Sequence, residues 1–283
     1  MMKELVIHID WGLGRVIAMT GNITELAKKR EVSVITSRPL AFWWNSYIKS
    51  VHWDWDRALW ENVIKWNDYF NLEPYQDSRF FNEWKNWLNV SASLLWLDKP
   101  YNPILFLAEH EKLNNTLQWN NIVLFQPFWS TMQINWSDKS YRSFKVEDAQ
   151  YIANALIQNW NTVYVVERED QPKLQWCNQL TVQDMRWLVS LADRYPVIWC
   201  DSSMHHAAKA FWKRALVMRA GTDAWRFGYD TSINLRNNEK YEYVPFRLWI
   251  DFNTDIQNQY CNIFSKERLD NFIREWLKLV NER

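Results

Sequence analysis

The chain of 283 residues is short of glycine and cysteine, carries no excess charge of either sign and contains no long apolar run. Average usage of about 7% would give roughly 20 glycines, but there are five. Three lie close together (Gly12, Gly14 and Gly21), and the others are Gly221 and Gly228. A chain this sparing keeps glycine where a side chain would block a tight turn or an approaching ligand, so these two regions are the first candidate sites. Cys177, Cys200 and Cys261 are too few and odd in number for a disulfide frame, and read as reduced thiols. Lys+Arg and Asp+Glu stand at 33 each, so the chain does not advertise a polyanionic partner. No run of about 18 apolar residues exists to span a bilayer. The opening MMKELVIHID lacks the basic-then-apolar layout of a secretion signal, which leads us to expect a cytoplasmic protein.

What is abundant is apolar and aromatic. The hydrophobic fraction of 48% excludes disorder as the main state. There are 21 Trp, more than a core needs, and some are expected half-exposed, where a flat ring can stack on a sugar or a base.

Short apolar runs alternate with helix-period stretches. Residues 4–10 form a β run that ends in Gly12-Leu13-Gly14; a helix follows to Lys29, then a strand at Val32–Thr36. Helices are expected near 56–68 and 78–89, and a buried strand at 103–108. The alternation restarts near residue 120, with strands at 121–125, 162–166, 197–200 and 215–218. The helices between and after them are expected at 146–160, at 181–192 with Thr181 as N-cap, and at 203–212. A last amphipathic helix spans 266–280 and turns Leu269, Phe272, Ile273, Trp276, Leu277 and Val280 inward. Alternating β and α argues for an α/β fold with parallel sheets, and the restart argues for two such units.

Ligands of such sheets bind beyond the carboxyl ends of the strands, so residues just after strands carry the most information. Asp10-Trp11-Gly12-Leu13-Gly14-Arg15 is a glycine turn between strand and helix. It is not the dinucleotide fingerprint, because position 17 is Ile. A tight turn alone explains it; read functionally, Asp10 is a general base at a strand tip. In Asp201-Ser202-Ser203-Met204-His205-His206 a buried strand runs into a helix of small residues. Asp201 or a serine caps that helix, or its free N–H groups hold a phosphate with His206 one turn in. A zinc site is not expected, because neighbouring residues on a helix point about 100° apart, so no metal ligand is assigned. Gly221-Thr222-Asp223 suits backbone contact with a phosphate or ribose. Arg142 could offset charge on a leaving diphosphate, and Glu167, at a strand end, could hold a ribose hydroxyl.

The Asp201–His206 segment, the small helix after it (Ala207, Ala208, Ala210), the strand at 215–218 and the Gly221-Thr222-Asp223 loop resemble, in order and spacing, the donor-binding half of the heptosyltransferase-like glycosyltransferases of family 9. Gly12-Leu13-Gly14-Arg15-Val16-Ile17 and the Arg142 region resemble that family's first loop and its basic residue. The wording DSSMHHAAKAF is similar to phage-type or environmental members with a double His. The resemblance implies two Rossmann-like domains facing a cleft (the GT-B architecture). The acceptor domain would be 1–118 and the nucleotide-sugar domain 119–262, with a helix at 263–283 crossing back to the N-terminal domain. It also implies transfer with inversion at the anomeric carbon and no required metal or other cofactor; separately, we expect a monomer. Donor contacts would fall to Gly12, Gly14, Arg15, Glu167, Asp201, Ser202, His206, Gly221, Thr222 and Asp223, and catalysis to Asp10 and Arg142.

One departure matters. The family's first loop carries an acid where this chain has Arg15, and a guanidinium cannot deprotonate a hydroxyl. Asp10 is the nearest replacement, followed by Asp54 and Asp56. The acceptor is either a glycan of lipopolysaccharide type or a hydroxymethylated pyrimidine in phage DNA, whose base Trp or Tyr would hold after flipping. Zero net charge weighs against DNA. The competing expectation, prompted by Arg15, is a nucleotide- or glycan-binding module without turnover.

Overall fold

The computed structural model describes residues 3–10, 12–83, 85–114, 116–128, 143–167, 171–219, 224–236 and 264–281. The chain divides into two compact units, Met1–Asn115 with Lys209–Trp212, and Thr116–Ala208 with Lys213–Arg283.

The first unit is built on four parallel strands: β1 (Leu5–His8), β2 (Val32–Thr36), β3 (Ser50–Trp53) and β4 (Asp68–Asn71), in the order β3-β2-β1-β4. Leu5 stands opposite Val32 on one side and Asp68 on the other. LVIH and VSVIT are apolar, β-branched runs, as central parallel strands covered on both faces require, and both are largely buried. The crossover between them is α1 (Leu13–Ala27), buried along most of its length. α2 (Arg57–Trp66) starts at Asp56, which accepts a hydrogen bond from the Leu59 amide and satisfies one of the helix's orphan donors. α3 (Ser78–Asn82) and α4 (Trp87–Leu94) are capped in the same way by Asp77 and Asn86. α4 packs on α1, where the Asn22 amide donates to Ser91 Oγ (2.6 Å) and to the Leu88 carbonyl (3.1 Å).

Residues 103–108 are not a strand. The Tyr101 and Ile104 amides donate to Asn22 Oδ1 (2.7 Å) and Thr20 Oγ1 (3.0 Å), so polar side chains of α1 satisfy a main chain that a sheet partner would otherwise have to satisfy. The segment crosses α1 at Gly21, where a Cβ would collide with the Asn102 carbonyl. The exposed helix α5 (Glu109–Asn114) follows.

The second unit carries six parallel strands: β5 (Ile122–Gln126), β6 (Thr162–Val166), β7 (Asn178–Leu180), β8 (Val197–Cys200), β9 (Ala215–Arg219) and β10 (Ile233–Arg236), ordered β10-β9-β8-β5-β6-β7. Its described helices are α6 (Val146–Gln158), α7 (Met185–Arg194), α8 (Ser203–Ala210), α9 (Ala224–Phe227) and α10 (Lys266–Asn281). α6 buries Ala149, Ile152, Ala153 and Leu156, the face its periodicity marks. Thr181 is not a cap: α7 begins four residues later, with Asp184 accepting from the Trp187 amide at 2.7 Å, and the residues before Thr181 belong to β7. α10 buries Leu269, Phe272, Ile273 and Trp276 and packs on α6 and β10. Tyr151 donates to Asp270 (2.5 Å), and Phe144 stacks on Phe264 with centroids 4.4 Å apart. These contacts pack α10 on α6 and β10 of the second unit.

The close crossing at Gly21 makes a prediction. Gly21→Ala forces a methyl against the Tyr101–Asn102 main chain, and overpacking of this kind costs about 1–3 kcal/mol. Urea unfolding should show the midpoint fall; an unchanged midpoint would mean that the 101–104 segment does not lie on α1.

Candidate functional site

In the second unit the polar residues gather where β5, β8 and β9 end. Asp201 directly follows β8, and Arg219 is the last residue of β9. Both are buried, and Arg219 Nη1 lies 2.6 Å from Asp201 Oδ1. Arg219 Nε donates to Asn234 Oδ1 of β10 at 3.1 Å, so one guanidinium ties three adjacent strands. Gly228 lies beside it: a Cβ there would collide with the Ala224 carbonyl and stand 3.2 Å from Arg219 Nη2. At the end of β5, the buried Gln126 amide donates to Gln171 Oε1 (2.7 Å) and its oxygen accepts from the Val166 amide (3.1 Å).

α8 brings in two histidines. His205 Nε2 lies 3.5 Å from Asp201 Oδ1, and His206 Nδ1 pairs with the Tyr229 hydroxyl at 2.6 Å. The expected divergence of the two rings is not observed: their centroids are 3.7 Å apart. Both pack on Tyr229, at 5.9 and 5.6 Å, which turns neighbouring side chains toward one aromatic. Burial, with Arg219 adding to it against the opposing pull of Asp201, lowers His205 to about 3, so this ring is neutral at physiological pH. Burial also raises the Tyr229 phenol well above its ordinary value.

Asp201, His205 and His206 bring one ligand atom each within 4.8 Å of one another, a spacing that could hold a metal ion. The donor set does not fit one. The Arg219 guanidinium already sits on the carboxylate oxygen nearest His205, and a divalent ion there would face a fixed like charge in a buried place.

The other expected residues are distributed as follows. Ser202 is half-buried beside Asp201. Glu167 is exposed beyond β6 and accepts from Thr181 Oγ1 at 2.7 Å. Arg142, Gly221, Thr222 and Asp223 lie outside the described residues. In the first unit, Asp10 follows β1 half-buried and accepts from the Ser37 hydroxyl. Gly12 is the N-cap of α1, with open space where a side chain would stand, and Gly14 lies in the first turn. Arg15 is turned inward, with Nη2 2.7 Å from Glu73 Oε1 and 3.1 Å from the Leu72 carbonyl. It therefore forms a buried ion pair between the first turn of α1 and Glu73, just beyond β4. Asp56 is committed to capping α2.

Arg219 as partner of Asp201, Tyr229 against the histidines and Glu73 opposite Arg15 were not expected from the sequence. Scarce Gly221 and Gly228 marked that neighbourhood, but not the pairings within it.

No family model matches the chain, and no curated protein matches its sequence. Solved structures do match. The iron-containing dodecameric glycosyltransferase TibC of enterotoxigenic E. coli H10407 aligns with TM-score 0.69 at 12% identity, over 99% of this chain and 77% of that one. E. coli ADP-heptose LPS heptosyltransferase II aligns with TM-score 0.63 at 13% identity, over 98% of this chain and 100% of that one. The family 9 glycosyl transferase of Veillonella parvula gives TM-score 0.60 at 11% identity, over 82% and 84%.

Two predictions follow from the buried cluster. Arg219→Met leaves the Asp201 carboxylate uncompensated and should cost about 3–5 kcal/mol in urea unfolding, most of it regained in the double variant with Asp201→Asn; no regain would show that the two charges do not compensate each other. His205 takes up a proton near pH 6.5 when unfolded and near pH 3 when folded, so the unfolded chain binds more protons in between and stability falls as pH drops through that window. Replacing His205 with Asn should flatten the thermal midpoint against pH between those limits; an equal slope in both chains rejects the buried neutral ring.

The chain has the fold of the heptosyltransferase-like glycosyltransferases of family 9.

Proposed function

We propose that this chain is a glycosyltransferase that moves a sugar from a nucleotide-sugar donor to an acceptor hydroxyl, with inversion and on two Rossmann-like domains in the GT-B manner. The observation that carries the reading is the junction of β8 and α8. There Asp201 and His206 occupy the carboxyl edge of a parallel sheet, in a fold shared with glycosyltransferases. The buried Asp201–Arg219 pair fixes the start of α8, and a helix N-terminus at a strand end suits a diphosphate. A solved heptosyltransferase with this fold holds ADP, and TibC holds ADP-D-beta-D-heptose, which favours an adenosine diphosphate sugar here.

In this reading Asp10, oriented by the Ser37 hydroxyl, takes the acceptor proton. The acceptor oxygen attacks the anomeric carbon in line, and the nucleoside diphosphate leaves toward Arg142 and the Gly221–Asp223 loop. The first unit receives the acceptor and the second the donor. No metal enters the step, and the protein acts in the cytoplasm. A glycan hydroxyl is favoured over a hydroxymethylated base in phage DNA, because nonspecific DNA affinity comes mainly from phosphate neutralisation and the chain has no net charge. The second reading, a binding module without turnover, is favoured by Arg15, which replaces the family's acid and is paired with Glu73.

A thermal-shift series with ADP, GDP, UDP and CDP sugars tests the donor. A ligand near 100 times its Kd adds about 2.7 kcal/mol, and ADP sugars should give the largest shift. No shift with any of them rejects the nucleotide site. Asp10→Asn should keep that shift while transfer to glycan acceptors falls by roughly 10²–10⁴-fold. Binding without transfer in the unaltered chain would leave the binding-module reading.

A further inference from the structure

Three helices of this chain end identically. After α4, the Trp96 amide donates to Ser93 O (3.2 Å) and the Leu97 amide to Ala92 O (2.9 Å). After α6, Trp160 donates to Ile157 O (2.9 Å) and Asn161 to Leu156 O (3.2 Å). After α8, Trp212 donates to Lys209 O (3.0 Å) and Lys213 to Ala208 O (2.8 Å). This pair of bonds is the Schellman motif, and it requires the residue just past the helix cap to be left-handed, which is why glycine usually stands there. Here that residue is Trp each time, with φ of 55°, 62° and 60°.

The pattern extends beyond helix ends. Among the described residues seven non-glycine residues have positive φ, and six of them are Trp: Trp44, Trp96, Trp119, Trp160, Trp176 and Trp212. The seventh is Asn121, a residue type that tolerates the conformation, whereas a bulky side chain does not. No described glycine has positive φ. All six indoles are exposed, at 57% to 86%. A surface built for stacking would cluster its rings and has no need of left-handed backbone. These rings are dispersed over both units, and what they share is φ. Composition agrees: 21 Trp is close to the roughly 20 glycines that average usage predicts, while glycine itself numbers five. Trp276 is the contrast. It lies on the inward face of α10, fully buried, as a true tryptophan should.

We infer that Trp44, Trp96, Trp119, Trp160, Trp176 and Trp212 stand at glycine positions, and that the cell of origin decodes their codon as glycine. The codon chemistry allows this. UGA differs from the tryptophan codon UGG in one base; it is a stop in the standard code, tryptophan in some codes and glycine in others. The working chain would then have glycine at its helix ends and turns and retain tryptophan at 276. The inference stands on backbone geometry and composition alone and is independent of the glycosyltransferase reading.

Two measurements test it. The full chain carrying Trp96→Gly, Trp160→Gly and Trp212→Gly should melt at a higher temperature and give more soluble protein than the unaltered chain, whereas Trp276→Gly should melt lower. An unchanged or lowered midpoint for the triple variant overturns the assignment of glycine positions and returns the indoles to a surface role. The gene should read UGA at the six positions and UGG at Trp276, and peptides of the native protein spanning positions 160 and 212 should have the mass of glycine. UGG at all seven positions, or tryptophan in those peptides, overturns the decoding.

Discussion

Every pairing in both sheets is parallel, and this constraint organises the rest of the molecule. Parallel neighbours cannot be joined by a hairpin, so each strand needs a crossover before the next. All carboxyl ends of a sheet then face the same way. The residues that leave the strands, Asp10 and Glu73 in one unit and Gln126, Asp201 and Arg219 in the other, are collected at one edge per sheet, although they lie far apart in the chain. The fold concentrates polar chemistry there and buries part of it.

Burial forces pairing. Each unit answers with an arginine against a carboxylate: Arg15 on Glu73 at 2.7 Å and Arg219 on Asp201 at 2.6 Å. Such pairs add little net stability once desolvation is counted, but losing one partner is costly. The first ties the start of α1 to the end of β4, and the second ties β8 to β9. The second pair also sets the charge state of its surroundings: a guanidinium beside His205 opposes protonation of a ring that burial already disfavours, so the cluster carries its positive charge on the arginine.

The central strands were legible in the sequence because they are continuous apolar runs: LVIH, VSVIT, IVLFQ, TVYVV, VIWC and ALVMR. The four strands missed, β3, β4, β7 and β10, are the edge strands of the two sheets. SVHW, DYFN, NQL and INLR are short, half-exposed and mostly polar, and edge position removes the two-sided burial that writes a strand into sequence. Residues 103–108 failed the other way. PILFLA is apolar enough for a strand, but its Ile104 amide donates to Thr20 of α1, as the Tyr101 amide just before it donates to Asn22. Gly21 and Gly228 do mark places where close approach requires a missing Cβ.

By itself the sequence determined the alternation of strands and helices, the inward faces of α6 and α10, the restart near residue 120 and the place of Asp10 and Asp201 at strand ends, because each depends on hydrophobic period and local chain direction. Only tertiary structure decided the partners: Arg15 with Glu73, Asp201 with Arg219, and His206 with Tyr229, each separated by many residues. Periodicity reports which way a side chain faces, but the partner it meets depends on the order in which the sheet assembles its strands. That order is settled by packing across the whole unit and leaves no local mark.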